Sequence, residues 1–132
     1  ASKAGVKISL IIRGICCLYP QRKNLSENIK VISIIGHFLE HSRIFWFCNN
    51  DNHEVFIGSA DWMRRNLDRR IEAVTPIEDL ELKSQLFTLL QTYIKDDYFS
   101  WIMKNDGSYE KYGFKSATTK SQFEIINKRE KY

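Results

Sequence analysis

No apolar run in the 132 residues is long enough to cross a bilayer, and only 2 are proline. The first absence argues against a membrane-spanning helix. The second, with 43% hydrophobic and 27% charged residues, argues against a disordered or collagen-like chain. No secretory leader opens the sequence. Cysteine is scarce as well: Cys16, Cys17 and Cys48 are odd in number, two of them adjacent, and no C-x-x-C occurs. That spacing argues against a disulfide framework or a structural zinc site, suits a reducing cytoplasm, and predicts small apolar strand residues. There is no G-x-x-x-x-G-K-[ST] loop and no G-x-S-x-G elbow, which sets aside Walker ATPases and ordinary serine hydrolases. The tryptophans Trp46, Trp62 and Trp101 are not interleaved with a basic stripe, as a single-strand nucleic-acid binder requires.

What is present fits one compact α/β domain with its own core. The net charge of +4, from 20 basic against 16 acidic groups, is too modest to dictate a partner, so its placement matters more. "ASKAG" reads as the last turn of a helix stopped by Gly5. With no initiator Met, it predicts a C-terminal fragment of a longer chain. "VKISLIIRGICCL" (6–18) predicts a strand buried on both faces, with Arg13 and Gly14 near its carboxyl end. Residues 19–28 read as a polar loop and "IKVI" as a short strand. "SIIGHFLEH" (33–41) predicts a short helix capped by Ser33. "RIFWFC" and "EVFIGS" predict strands joined by a turn at "NNDNH". "ADWMRRNLD" reads as a loop and "RRIEAV" as a strand. A helix is expected from Pro76 or Asp79 to Lys95, with Leu82, Leu86, Leu89 and Leu90 as its stripe. Residues 98–114 predict a hairpin turning on Asn105-Asp106-Gly107, and 121–132 a terminal helix. The expected organisation is a single domain, an α/β core at 1–95 followed by hairpin and helix at 96–132. Its strands form a mixed β-sheet flanked by helices.

Ligands of open α/β sheets sit beyond the carboxyl ends of strands, which singles out Arg13. A guanidinium cannot shed its proton, so Arg13 faces either a phosphate or carboxylate ligand or an internal partner such as Glu40, Asp61 or Glu72. His41 and Arg43 share one side if 43–47 is a strand. They either cap it or hold an anion, and Arg43 has Glu40 and Glu72 as possible internal partners. Phe45, Trp46 and Phe47 read as core that fixes where the histidine stands. His37 and His53 lack ligand-spaced neighbours and read as surface residues. The densest signal is "GSADWMRRNLDRR" (58–70), where Gly58 lets backbone approach a ligand closely and Arg64, Arg65, Arg69 and Arg70 follow within seven positions. Arginine forks match phosphate oxygens. The same segment also reads as a solvated loop whose arginines are neutralised by Asp61 and Asp68.

Four segments in order, "IIRGICCL", "LSENI", "FLEHSRI" and "GSADWMRRNLDRRIE", resemble the C-terminal catalytic domain of the bacterial polyphosphate kinase family, histidine-phosphorylating type. The resemblance covers residues 4–95 closely and the tail more loosely. It implies a phospholipase D-like layered fold. In that fold a histidine, a basic residue two positions on, and a strand ending in Gly-Ser form half a site; here these are His41, Arg43, Gly58 and Ser59. Arg43 replaces the usual lysine and the expected following Asp is missing, which counts against phosphodiester hydrolysis. The implied reaction moves the terminal phosphate of ATP reversibly onto polyphosphate, with Mg²⁺, through a phosphohistidine carried by a preceding domain. His41 would face that histidine as a catalytic and nucleotide-site residue, and Arg13 would contact the nucleotide phosphates. The family motif S-A-D-W-M-x-R-N-x-D-x-R matches Arg65, Asn66, Asp68 and Arg70. It implies that Arg65 and Arg70 face the site, with Ser59, Asp61, Asn66 and Asp68 in support, and that Arg64 and Arg69 face solvent. The implied partners are ATP or ADP, polyphosphate, the preceding domains and further copies of the full enzyme. The implied location is cytoplasmic, with peripheral membrane association of the parent, and nucleic acid is not an expected partner. Two other functions remain open on the residues: a phospholipase D-like phosphodiesterase or nuclease half-site, and a non-catalytic polyanion-binding domain.

Overall fold

The computed structural model of the chain describes residues 1–113 and 117–129. Its elements run β1 (Ile8–Ile11), β2 (Ile29–Ile34), β3 (Ile44–Phe47), β4 (Glu54–Gly58), α1 (Arg64–Arg69), β5 (Val74–Pro76), α2 (Leu80–Lys95), β6 (Ser100–Met103), β7 (Tyr109–Lys111) and α3 (Ser121–Arg129). Residues 1–38 with 91 onward form one compact unit, and Leu39–Leu90 form a second. The sequence predicts one mixed sheet. The described residues form two, ordered β1-β2-β6-β7 and β3-β4-β5, because periodicity marks strands without naming their partners.

In the first unit β1 pairs parallel with β2, β2 pairs antiparallel with β6, and β6 with β7. The two-faced burial expected of 6–18 belongs instead to β2, where five of the six residues are buried. β1 is an edge strand with one neighbour; its residues are half-buried or exposed, and Ile15 beyond it is 80% exposed. The core gathers Val31, Ile29 and Met103, packed by Ile8, Leu10, Cys16 and Leu18. Cys16 thus contributes to the core from a loop rather than a strand, and Cys17 and Cys48 are exposed. The opening turn is a 3-10 helix, Ser2–Ala4, stopped by Gly5 at φ 88°, as expected.

The helix expected at 33–41 is absent. Ser33 and Ile34 pair with Trp101 and Ser100, and Ile35 N–H reaches the Phe99 carbonyl at 3.2 Å. The buried amide of Gln122 then accepts from Phe38 N–H (3.0 Å) and donates to the Phe38 carbonyl (2.7 Å). A side chain 84 residues away supplies what a helix would have supplied locally, so the backbone stays irregular.

The β6–β7 hairpin turns as predicted, with Gly107 at φ 89°. The Asp106 carboxylate accepts from Ser108 N–H and hydroxyl at 2.9 and 2.6 Å, and those bonds hold its pKa below the ordinary value. Phe114 of the expected hairpin and residues 130–132 of the expected terminal helix lie outside the described residues.

In the second unit β3, β4 and β5 form an antiparallel meander. The turn between β3 and β4 puts Asn49, Asn50 and Asp51 at φ 42°, 53° and 64°, a left-handed run that these residue types tolerate best among non-glycines. The strand expected over "RRIEAV" begins only at Val74 and ends on Pro76, which lacks a donor and suits an edge. The loop expected at 60–68 contains α1. Its first turn is closed by Met63 carbonyl accepting from Asn66 and Leu67 N–H at 2.9 and 3.1 Å, and Arg64 meets Asp68 one turn on. The helix α2 starts at Leu80, next to the expected Asp79, and Leu82 N–H donates to Asp79 Oδ1 at 2.8 Å, a side-chain cap that the sequence reading did not single out. Of its stripe Leu82 is exposed and Leu86, Leu89 and Leu90 half-buried. Phe87 makes the aromatic contact, with Trp46 at 4.9 Å.

Between α2 and β6 the chain passes Asp96, which is fully buried. Oδ1 accepts from Tyr98 N–H (3.1 Å), Phe99 N–H (2.7 Å) and Ser100 hydroxyl (3.2 Å), and Oδ2 from Ser121 N–H (2.8 Å) and hydroxyl (2.6 Å). Asp97 adds Thr118 and Thr119 N–H at 2.9 and 2.7 Å. Asp96→Ala leaves buried donors at Phe99 and Ser121 without an acceptor and costs about 3 kcal/mol or more. The loss is read as a lower urea midpoint at unchanged slope. Asp96→Asn retains one acceptor oxygen and loses less.

Candidate phosphate-handling site

Arg43 carbonyl accepts from Gly58 N–H at 3.1 Å, so the ladder of β3 and β4 begins one residue before β3. The guanidinium turns back. Its Nε donates to Asp61 Oδ1 at 3.0 Å and its Nη1 to the His41 carbonyl at 2.7 Å. His41 therefore stands before the strand, not on it, and it is exposed. The sequence offers Glu40 and Glu72 as internal partners of Arg43. The observed partner is Asp61. The Asp61 carboxyl is held below its ordinary value chiefly by the Arg43 hydrogen bond, then by the fields of Arg43, Arg65 and His41, with desolvation opposing.

The aromatic run beside these residues is only partly core. Phe45 and Trp46 are half-buried, and Phe47 is exposed. Phe45 stacks on Trp62 at 5.3 Å with ring planes 18° apart. Trp46 meets the His53 ring at 5.0 Å. That contact makes His53 half-buried rather than a surface residue, and its Nδ1 has no hydrogen-bond partner among the described residues. His37 is exposed as expected, with its ring edge against Phe99.

The segment after β4 is pinned at its neck. Ser59 N–H donates to the Ala73 carbonyl at 3.0 Å, and Ala73 N–H donates to Ser59 Oγ at 3.1 Å. The Ser59 hydroxyl donates to Glu72 Oε2 at 2.5 Å, and the buried Asn66 donates through Nδ2 to Glu72 Oε1 at 2.7 Å. Glu72 is held below its ordinary pKa by Ser59 first, then Asn66, with the fields of Arg70 and Arg43 adding. A Cβ at Gly58 would lie 3.0 Å from the Ala73 carbonyl oxygen and 3.2 Å from Val74 Cγ2. The glycine thus admits the chain's own backbone at β5, where the sequence reading had a ligand.

Of the four arginines, Arg64 is tied to Asp68 at 3.1 Å, so Asp68 supports α1. Arg65, Arg69 and Arg70 are exposed and make no ion pair among the described residues. Arg65 is felt electrostatically at Asp61 and Arg70 at Glu72. The second unit thus brings together His41, Arg43, Ser59, Asp61, Asn66, Arg65 and Arg70. Arg13 belongs to the first unit. It is exposed just past Ile12, whose N–H still reaches the Ile32 carbonyl at 2.8 Å, and has no ion-pair partner among the described residues of that unit. Glu72 is the residue that sequence reasoning undervalued. Its only signal was a lone acid between Ile71 and Ala73 closing the arginine run.

A family model described as polyphosphate kinase C-terminal domain 2 matches residues 1–122. A polyphosphate kinase of Prochlorococcus marinus (strain MIT 9313) is 65% identical over 109 residues, 83% of this chain and 15% of that protein. One of Pseudomonas aeruginosa is 48% identical over 111 residues, 84% of this chain and 16% of that protein. The crystal structure of polyphosphate kinase from Porphyromonas gingivalis matches with a TM-score of 0.90 at 38% identity, covering 98% of this chain and 20% of that one. The chain therefore spans only about a sixth of the length of these curated relatives.

The Arg43–Asp61 pair carries a measurable sign. A carboxyl whose pKa is lowered on folding adds stability above its unfolded value, near 4, and loses it as pH falls through the lower folded value. A double-mutant cycle of Arg43→Met and Asp61→Asn is expected to give a coupling of about 0.5–1 kcal/mol at neutral pH. The coupling is flat from neutrality down to about pH 5 and shrinks below about pH 4.

Proposed function

The chain belongs to the polyphosphate kinase family through its C-terminal domain, and from that we propose that it is the C-terminal catalytic lobe of an enzyme moving the terminal phosphate of ATP reversibly onto inorganic polyphosphate. The observation that carries the reading at the site is the division of charge in the segment 59–72. Asp61 and Glu72 accept from Arg43, Ser59 and Asn66, while Arg65 and Arg70 remain exposed without ion pairs among the described residues. Phosphoryl transfer depends mainly on positioning and on neutralising charge on oxygen, and uncommitted guanidiniums suit that task.

In this reading the acceptor histidine lies in a preceding domain. Its ring nitrogen bonds to the γ-phosphorus as the P–O bond to ADP breaks, and the phosphoryl then passes to a terminal polyphosphate oxygen. Arg65 and Arg70 of the second unit bind phosphate oxygens, and Arg13 of the first unit is assigned a phosphate contact of its own. His41 donates a hydrogen bond to, or exchanges a proton with, the group in transit. Arg43 acts through its hold on the His41 carbonyl and on Asp61. No three His, Cys, Asp or Glu side chains converge to hold a metal among the described residues, and Asp61 and Glu72 are already engaged. Mg²⁺ enters this reading with ATP. The phospholipase D-like description of the fold, the cytoplasmic setting, peripheral membrane association and self-association of the full enzyme belong to the same proposal. Among the described residues no helix is long and apolar enough to cross a membrane.

Calorimetry with tripolyphosphate and with ATP tests the reading. Arg13→Ala and Arg70→Ala are each expected to weaken binding about tenfold, the worth of one charge-assisted contact, while the chain alone turns over no substrate. Affinities equal to wild type would remove the substituted arginine from phosphate binding.

A further inference from the structure

A side chain can govern a phosphate site without touching phosphate, and Glu72 is placed to do so. Both its carboxylate oxygens are used, Oε2 by the Ser59 hydroxyl at 2.5 Å and Oε1 by Asn66 Nδ2 at 2.7 Å. Ser59 directly follows the last residue of β4, and Asn66 sits in α1 between Arg65 and Leu67. Ser59 is itself doubly bonded to Ala73, next to Glu72 in sequence. One carboxylate therefore ties three points of the chain: the exit of β4, the middle of α1 and the entry to β5.

The lever is short. Arg65 precedes Asn66, and Arg70 stands two residues before Glu72. α1 has only six residues and no side-chain cap at its start, so little within the helix fixes its orientation. Asn66 is only 3% exposed, and the hydrogen bond its Nδ2 donates to Glu72 Oε1 fixes the turn that carries Arg65.

We propose that Glu72 is a positioning residue for phosphoryl transfer, holding α1 and the exit of β4 in the one arrangement that presents Arg65 and Arg70 together. This rests on the polyphosphate kinase reading of the arginines. The link is made by hydrogen bonds rather than by charge. A glutamine of the same length can bridge the same two groups, its carbonyl accepting from Asn66 and its amide donating to Ser59 Oγ, whereas an alanine bridges neither.

The test uses the complete enzyme that carries this domain, with KM for ATP and kcat measured for wild type, Glu72→Gln, Glu72→Ala and Arg70→Ala at a temperature where circular dichroism shows each folded. Glu72→Ala is expected to raise KM for ATP about tenfold, as Arg70→Ala does, and Glu72→Gln to restore it to within about threefold of wild type. A folded Glu72→Ala enzyme with wild-type KM and kcat, beside an impaired Arg70→Ala, overturns the inference and leaves the site reading standing. Wild-type kinetics in both variants overturn the site reading and the inference with it. Equal impairment of Glu72→Gln and Glu72→Ala overturns positioning by hydrogen bonds, since the lost charge would then be the cause. Where Glu72→Ala does not fold, Ser59→Ala removes one arm of the bridge and is expected to raise KM about threefold with kcat less changed; no change in KM there overturns the inference.

Discussion

The first unit depends on one buried carboxylate. Asp96 sits where α2 ends, and five donors from the start of β6 and the start of α3 converge on its two oxygens. A buried charge is tolerable only when its lone pairs are satisfied. Satisfying them forces the chain to turn sharply out of the helix and lay Ser100 opposite Ile34. It also caps α3, whose second residue, Gln122, then reaches the Phe38 backbone. Strand pairing, helix capping and the irregular course of 35–38 are consequences of the same group.

The second unit repeats the device closer to the surface. Acids there face inward upon the chain's own donors, and arginines are left outward. Asp61 organises the approach to His41 through Arg43, and Glu72 gathers the neck of the arginine segment. The modest net charge of +4 thus conceals a local excess of uncommitted positive groups. The carboxylates that balance them on paper are occupied by hydrogen bonds of their own.

Local chemistry was legible in the sequence, and distant partnership was not. The Asn-Asn-Asp turn, the start of α2 near Asp79 and the Gly107 hairpin each rest on residues within a few positions of one another, where backbone preference decides. The absent helix at 33–41 failed because Gln122, far along the chain, took over the Phe38 backbone. Arg43 was read correctly as needing a partner, but any of several acids satisfied the sequence, and only the fold selected Asp61. Gly58 was read as room for a ligand when the room is taken by Ala73. The resemblance supplied the family. It gave no role to Glu72, the last residue of the matching segment, which matters only once Ser59 and Asn66 are adjacent in space.

The two units are nested: residues 39–90 are contiguous, while the first unit is assembled from chain on both sides of them. A polypeptide emerging from the ribosome therefore meets the parts in an unequal order. β1 and β2 appear first but lack β6 until the whole inserted segment has been made, and a strand edge as apolar as β2 waits exposed meanwhile. The inserted unit closes its short-range pairings as soon as α2 follows β5. The guest is finished before its host, and the host's closing step, β6 docking on β2, bears the cost of the longer loop.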